Sequence, residues 1–217
     1  MTASAPFVRP YRPSDRPAVG RVCVLTAHDG GDATPHYSDT AILPTLFAYP
    51  YVDREPELAF VVDDGAGEAV GYVLGTADTA GFARWFRDDW LPGAAEAYPP
   101  PPAADGGGRT PDEVMAALLH DPERMVRPQL DPFPAHLHID LLPTHQGLGL
   151  GRALMEAFLD ALHEAGVEQV HLCMSRANTR ARAFYDRMGF EELEVPDDGP
   201  VWYLGRPTAR TPGAPRP

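Results

Sequence analysis

Gln146-Gly147-Leu148-Gly149-Leu150-Gly151-Arg152 lies between a β-rich run that reaches Pro143 and a strongly periodic apolar segment. Glycines let the backbone turn tightly and approach a ligand, and the free N–H groups of a helix start carry partial positive charge. The stretch therefore predicts a pyrophosphate cradle. It has no lysine, so it is not the phosphate loop of nucleotide triphosphatases. Nor is it the dinucleotide fingerprint, because Arg152 stands where Gly or Ala is needed and no acidic ribose partner ends the next strand at Met174-Ser175. Upstream, His136, His138 and Asp140 alternate with Leu137, Ile139 and Leu141, so in a strand the three polar groups share one face. Such a trio is either a proton-handling group or an ordinary solvated face.

These residues need elements to hold them. His136 to Leu142 reads as a strand, Leu150 to Ala165 as a helix ended by Gly166, and Val170, Leu172 and Met174 as the next strand. Asn178 or Thr179 caps a further helix that Gly189 stops, and Phe190 to Leu193 and Val201 to Leu204 close the pattern. Toward the N-terminus, Phe7 to Tyr11 is a strand, and Ser14 or Asp15 caps a helix to about Ala27. A second helix is expected from Asp39 to Tyr49. Leu58 to Val62 and Val70 to Gly75 form an antiparallel pair about the Asp63-to-Glu68 turn. Residues 78–134 are too long for a bare connection and must carry structure. Phe82, Trp85, Phe86 and Trp90 have helical spacing, Pro99 to Gly108 is a linker, and Thr110-Pro-Asp-Glu113 is a capping box opening a helix to about His120. The aromatic stripe is expected to be core.

Composition narrows the chemistry. The chain has 217 residues, enough for one domain over 1–206 with a frayed 207–217 tail. All 18 basic residues are arginine, which excludes Schiff-base and pyridoxal-anchoring lysines. With 31 acidic residues the net charge is −13, a field that repels nucleic acid. Cys23 and Cys173 suggest neither a disulfide framework nor a zinc knuckle. The absence of a leader or a long apolar run points to a cytoplasmic protein outside the membrane, and arginine without lysine to a GC-rich bacterium.

Gln146-x-x-Gly149-x-Gly151 after a strand ending in proline resembles the acetyl-coenzyme A motif of the GNAT superfamily of N-acetyltransferases. Asn178-Thr-Arg-Ala181-Arg-Ala-Phe184-Tyr185 with Met188-Gly189-Phe190 resembles its second motif. Val8-Arg-Pro-Tyr11, Asp29-Gly30, Glu57-Leu-Ala-Phe60, Gly71-Tyr-Val-Leu-Gly-Thr76 and Trp90-Leu-Pro92 are similar to the acetyltransferase-like C-terminal part of the O-GlcNAcase family and its bacterial relatives. The resemblance implies a mixed α/β (α+β) GNAT fold: a mixed central sheet whose central strands splay at a bulge, helices on both faces, and a helical insertion before the cofactor-binding strand. It also implies acetyl-CoA as co-substrate and an amine acceptor in a ternary complex. By the same resemblance Leu141 and Leu142 offer backbone groups to the cofactor, Gln146, Gly147, Gly149, Leu150, Gly151 and Arg152 hold the diphosphate, and Asn178 and Tyr185 flank the pantetheine arm and sulfur. Arg180 or Arg182 are further phosphate partners.

Direct transfer needs a base for the ammonium, N–H donors for the oxyanion and an acid for the leaving thiolate. Tyr185 is the candidate acid, against a reading as a packing ring. His138 and Asp140 are the candidate bases ahead of His136; the His-Leu-His run is similar to that of the serotonin N-acetyltransferase branch. His28, Asp29, Asp32, His36 and Asp39 fall where GNAT enzymes bind acceptors, and with Asp140 an acidic pocket of Asp29 and Asp32 suits a cationic amine. The insertion is expected to form another wall. No metal site is expected, since tight His-x-x-x-His spacing is missing. The alternative is a non-catalytic acyl-CoA-binding or protein-interaction module.

Overall fold

The computed structural model describes residues 4–103, 108–196 and 199–209. Seven strands form one mixed sheet in the order β1-β2-β3-β4-β5-β7-β6. β1 (Phe7–Pro10), β2 (Ala59–Asp63), β3 (Ala69–Thr76) and β4 (Ala135–Leu141) pair in that order, each antiparallel to the next. β5 (Gln169–Ser175) is parallel to β4 and antiparallel to β7 (Val201–Pro207), which carries β6 (Glu191–Leu193) at the edge. The β4–β5 ladder covers only Ala135↔Val170 and His136↔His171, after which the two strands part. The bulge expected at this splay lies elsewhere, as a register shift between Val62 and Asp63 in the β2–β3 ladder.

Two apolar clusters cover the faces of the sheet. One joins α1 (Arg16–Thr26), α2 (Ile42–Phe47), α3 (Tyr49–Arg54) and α4 (Thr79–Trp85) to Val61, Tyr72 and Leu74. The other joins α7 (Leu150–Glu164) and α8 (Thr179–Arg187) to Val62, Val73, Leu137 and Leu172. The alternation of Val61 with Val62 and of Tyr72 with Val73 is the period-two signature of a sheet covered on both sides.

Several local expectations change. The single helix read over Asp39 to Tyr49 is two, broken at Ala48 (φ −133°), because Pro50 has no N–H to donate and its ring clashes with the carbonyl four residues back. Asp15 precedes α1, yet its carboxylate does not cap it. Instead it receives both Arg9 terminal nitrogens at 2.6 and 2.8 Å, while Arg9 Nε donates to Asp63 at 2.9 Å, all three residues buried. Pro207 belongs to β7 and Thr208 is buried with its hydroxyl donated to Val167 O at 2.7 Å, so the frayed tail does not begin at 207. The remaining tail, 210–217, lies outside the described residues, as does the 104–107 part of the linker.

The insertion is helical as expected. After α4 the helix widens to a π-turn over Phe86–Trp90, then continues as α5 (Leu91–Ala97) and, beyond the linker, α6 (Pro111–Leu119) with its Thr110–Glu113 capping box. Phe82 and Phe86 are buried and Trp85 and Trp90 half-buried, all four in the first cluster. Both ends of the insertion meet where the Thr79 N–H and hydroxyl donate to Pro134 O at 2.8 and 2.7 Å.

Candidate active site

The parting of β4 and β5 opens a cavity of about 450 Å³. Thr26, Asp29, Gly30, Ile139, Asp140 and Leu141 line one side, while Gln146, Gly147, Gly149, Gly151 and Arg152 form its glycine-rich end. From α8 and its cap come Asn178, Arg180, Ala181, Phe184, Tyr185, Arg187 and Met188. Groups from opposite faces of the sheet, Asp140 and Tyr185, share this space because no strand separates them here.

The glycine-rich end has the features the sequence predicted. Gly147 and Gly149 sit at φ +79° and +81°, and a Cβ at either would meet nothing within 4 Å, so the space above them is free for a ligand. The Ala153 N–H bonds to Gly149 O, and the preceding N–H groups of Leu150, Gly151 and Arg152 fall at the first turn of α7, where no intrahelical partner exists. Such donors at the positive end of a 15-residue helix suit a diphosphate. The Leu150 side chain is buried in the core, which leaves it only its amide for this purpose. Arg152, Arg180 and Arg187 supply positive charge. Arg182, expected as a phosphate partner, is held instead by Asp186 and Glu192 at 2.9 and 3.0 Å and stacked near Trp202.

Strand β4 presents an unpaired edge. The Leu142 N–H donates to Val70 O at 3.0 Å, and alternation then turns the backbone groups of Ile139 and Leu141 toward the gap. Gln146 Nε2 already donates to Leu141 O at 2.8 Å, tying the glycine loop to the strand and leaving the Leu141 N–H directed at the cavity. Leu142, expected to offer backbone groups to the cofactor, has its N–H on Val70 O and its carbonyl accepting from His145 N at 2.9 Å, and it is not among the residues lining the cavity. Asn178 Oδ1 caps α8 by accepting from Ala181 N at 3.0 Å, which leaves its amide as a donor at the cavity.

Asp140 and the histidines separate in character. Burial pushes the Asp140 carboxyl up to about 6, partly offset by the hydrogen bond from Tyr72 and by the nearby Thr26 hydroxyl, whose proton is donated to Val22 O at 2.7 Å. Burial, and then the Asp140 charge, raises the Tyr185 phenol, whose ring packs on Phe184 and Phe190. His136 and His138 share the face of Asp140 as expected, but neither lines the cavity. They belong to a chain whose direction is fixed at one end. Thr79 Oγ1 donates to Pro134 O, so at 2.8 Å it accepts from His136 Nδ1. His136 Nε2 then accepts from Tyr51 Oη at 2.8 Å, and Tyr51 in turn accepts from His138 Nε2 at 3.1 Å. Both His136 nitrogens are thereby used, which removes it as a base. His138 is neutral, with its pKa pushed down to about 4 by burial and by the charge of Arg124, and keeps its lone pair on Nδ1.

On the acceptor side, Asp29 and Gly30 are the central residues of a tight turn closed by His28 N–H to Gly31 O at 3.0 Å and Gly31 N–H to His28 O at 2.8 Å. Their φ values of +50° and +87° are those of a type I′ turn, for which Asp-Gly is well suited. Asp32 is exposed and bonds the Thr34 N–H at 2.8 Å rather than reaching the cavity. Asp39 accepts from Tyr98 Oη at 3.0 Å and so docks the insertion. None of the described insertion residues lines the cavity, so the insertion is not the expected wall; it anchors β4 through Thr79. Thr26, Ile139 and Arg187 are lining residues the sequence did not single out, whereas Met188 belongs to the second motif. Thr26, one turn before the Asp29-Gly30 turn, could have been inferred from that spacing; the others carry no signal. Among the described residues no group of three His, Cys, Asp or Glu side chains is arranged to hold a metal, and no helix is long and apolar enough to cross a membrane.

Known proteins share this architecture. The crystal structure of SsHAT superposes with a TM-score of 0.90 at 62% identity, over 95% of this chain and 100% of that one. The chain is 24% identical to protein O-GlcNAcase of Rattus norvegicus over 94% of its own length, and spans 22% of that relative's. A shorter stretch, 24% of this chain and 18% of the relative, is 47% identical to mycothiol acetyltransferase of Beutenbergia cavernae. The family model described as acetyltransferase (GNAT) matches residues 28–190, from the Asp29-Gly30 turn through both lobes of the cavity, and the chain belongs to that family.

Proposed function

We propose that the chain is an acetyl-CoA-dependent N-acetyltransferase that passes the acetyl group directly to a cationic amine held in a ternary complex. The observation that carries this reading is the continuity of the cavity: the open start of α7, the free β4 edge, Asp140 and Tyr185 all border one space. Leu150, Gly151 and Arg152 amides with Arg180 and Arg187 would bind the diphosphate, and Asn178 would donate to the pantetheine amides. Bound acetyl-CoA supplies an activated thioester carbonyl. The protein does the rest.

An alkyl ammonium with a pKa of about 10.4 is a poor nucleophile until a base removes its proton. Asp140, ionised above about pH 6, both attracts the cation and accepts that proton, with Asp29 adding negative charge at the mouth. The Leu141 N–H faces the side on which the oxyanion grows. Tyr185, held protonated by burial, donates to the departing sulfur. Calorimetry with acetyl-CoA and a thiol-release assay over an amine panel test the scheme. The expected results are donor binding, acceptor-dependent thiol release that falls below about pH 6, and loss of release in Asp140→Asn. Donor binding with no acceptor-dependent thiol would instead favour a non-catalytic acyl-CoA-binding module.

A further inference from the structure

We infer that Tyr72 is a positioning residue that fixes the orientation and basicity of Asp140; the inference rests on the reading of Asp140 as the base. Tyr72 and Asp140 face each other across the β3–β4 ladder, and Tyr72 Oη donates to Asp140 Oδ2 at 2.6 Å. Tyr72 is 1% exposed, so its hydroxyl has no access to bulk water and is committed to this bond. The other groups facing the carboxylate are Thr26 and Cys23 on α1 and Tyr185 on α8, with His138 beside it on β4. All are neutral at pH 7: burial pushes the Cys23 thiol and the Tyr185 phenol up and the His138 imidazole down. Among the described residues no cation is set against Asp140, so hydrogen bonding is what favours the ionised form of this half-buried carboxylate.

Pinning Oδ2 also fixes the rotation of the carboxylate, and with it the direction from which its remaining lone pairs can meet an ammonium. A phenol donating to a charged acceptor strengthens as the environment dries, so the bond helps most when an acceptor closes the cavity. Removing the donor destabilises the charged form and raises the carboxyl pKa.

The test is Tyr72→Phe, which preserves the ring and deletes only the hydroxyl. The expected result is a 13C titration of the Asp140 carboxyl that moves upward by about one pH unit or more, as loss of a charge-assisted hydrogen bond implies. In parallel, kcat/KM falls about tenfold on the acid side and recovers toward the original value near pH 9, because raising the pH restores the ionised form. A loss of packing alone would depress turnover equally at every pH. An unmoved Asp140 titration, or a defect of constant size across pH, overturns the inference. Full turnover by Asp140→Asn would sink the base reading instead, and the carboxyl titration would still show whether Tyr72 governs that group.

Discussion

In the proposed mechanism two residues divide the proton chemistry between them, and their surroundings explain why they are not interchangeable. Asp140 is desolvated with no cation beside it among the described residues, so its pKa rises toward the working range of a base; Tyr185 is buried beside that charge, so its phenol stays protonated. Tyr185→Phe is expected to lower turnover about 100-fold, the low end for a lost general acid, while calorimetry finds donor affinity nearly unchanged. Tyr51 acts on stability rather than on transfer. Tyr51→Phe leaves His136 Nε2 and the His138 Nε2 proton without partners, and urea unfolding should show a loss of about 1–3 kcal/mol. As candidates, Asp140 was visible through strand alternation, and Tyr185 and Asn178 through the resemblance to the second GNAT motif. Tyr51 and Tyr72 were not, because their partners lie 85 to 87 and 68 positions away and meet only through tertiary packing and register.

At the scale of elements, local chemistry was legible wherever a turn or cap signal bounded an alternating run. The β2–β3 hairpin, the Thr110–Glu113 box and the Gly166 and Gly189 stops all lie where their residues placed them. The route of the insertion was not legible, since Ser38, Asp39 and Thr45 bind it, and the sequence showed no more of them than a helix expected over Asp39 to Tyr49. Two glycines test the framework. A Cβ at Gly75 would collide with the His136 carbonyl and approach the Phe158 ring to 2.6 Å, so Gly75→Ala must push β3 from β4 or α7 from the sheet. Thermal unfolding should register a loss of about 1–3 kcal/mol. A Cβ at Gly149 meets nothing within 4 Å, but Gly149→Val forces a β-branched residue to φ +81° and fills the anion cradle, so donor binding is expected to fail before the fold does.

For the molecule as a whole, buried titratable groups set the response to pH. Burial holds His136, His138 and His171 below their ordinary value of 6.5, so the unfolded chain binds more protons as the medium becomes acid. Their contribution is complete above about pH 6.5 and declines below it, for His138 until about pH 4. Asp140 has the opposite sign, since its raised pKa makes ionisation costly and its contribution is lost as pH rises through about 6. Three imidazoles against one carboxyl predict a lower urea midpoint at pH 5 than at pH 7.5. Mutating all three to neutral isosteres should abolish that difference and, through Asp140, turn it toward the opposite sign. Below this window the Arg9 cluster dominates, because Asp15 and Asp63 keep depressed pKa values and their stabilisation is lost only as pH falls through those values.

The gap between β4 and β5 has a mechanical side as well. A seven-stranded sheet stitched at its middle by two residue pairs is two rigid plates sharing a short seam. Whatever lodges in the gap touches both plates and becomes the missing stitching, so occupancy should raise the melting temperature in proportion to the logarithm of ligand concentration. Amide exchange should slow most along β5, whose outer partner β7 is already secure but whose inner edge is bare.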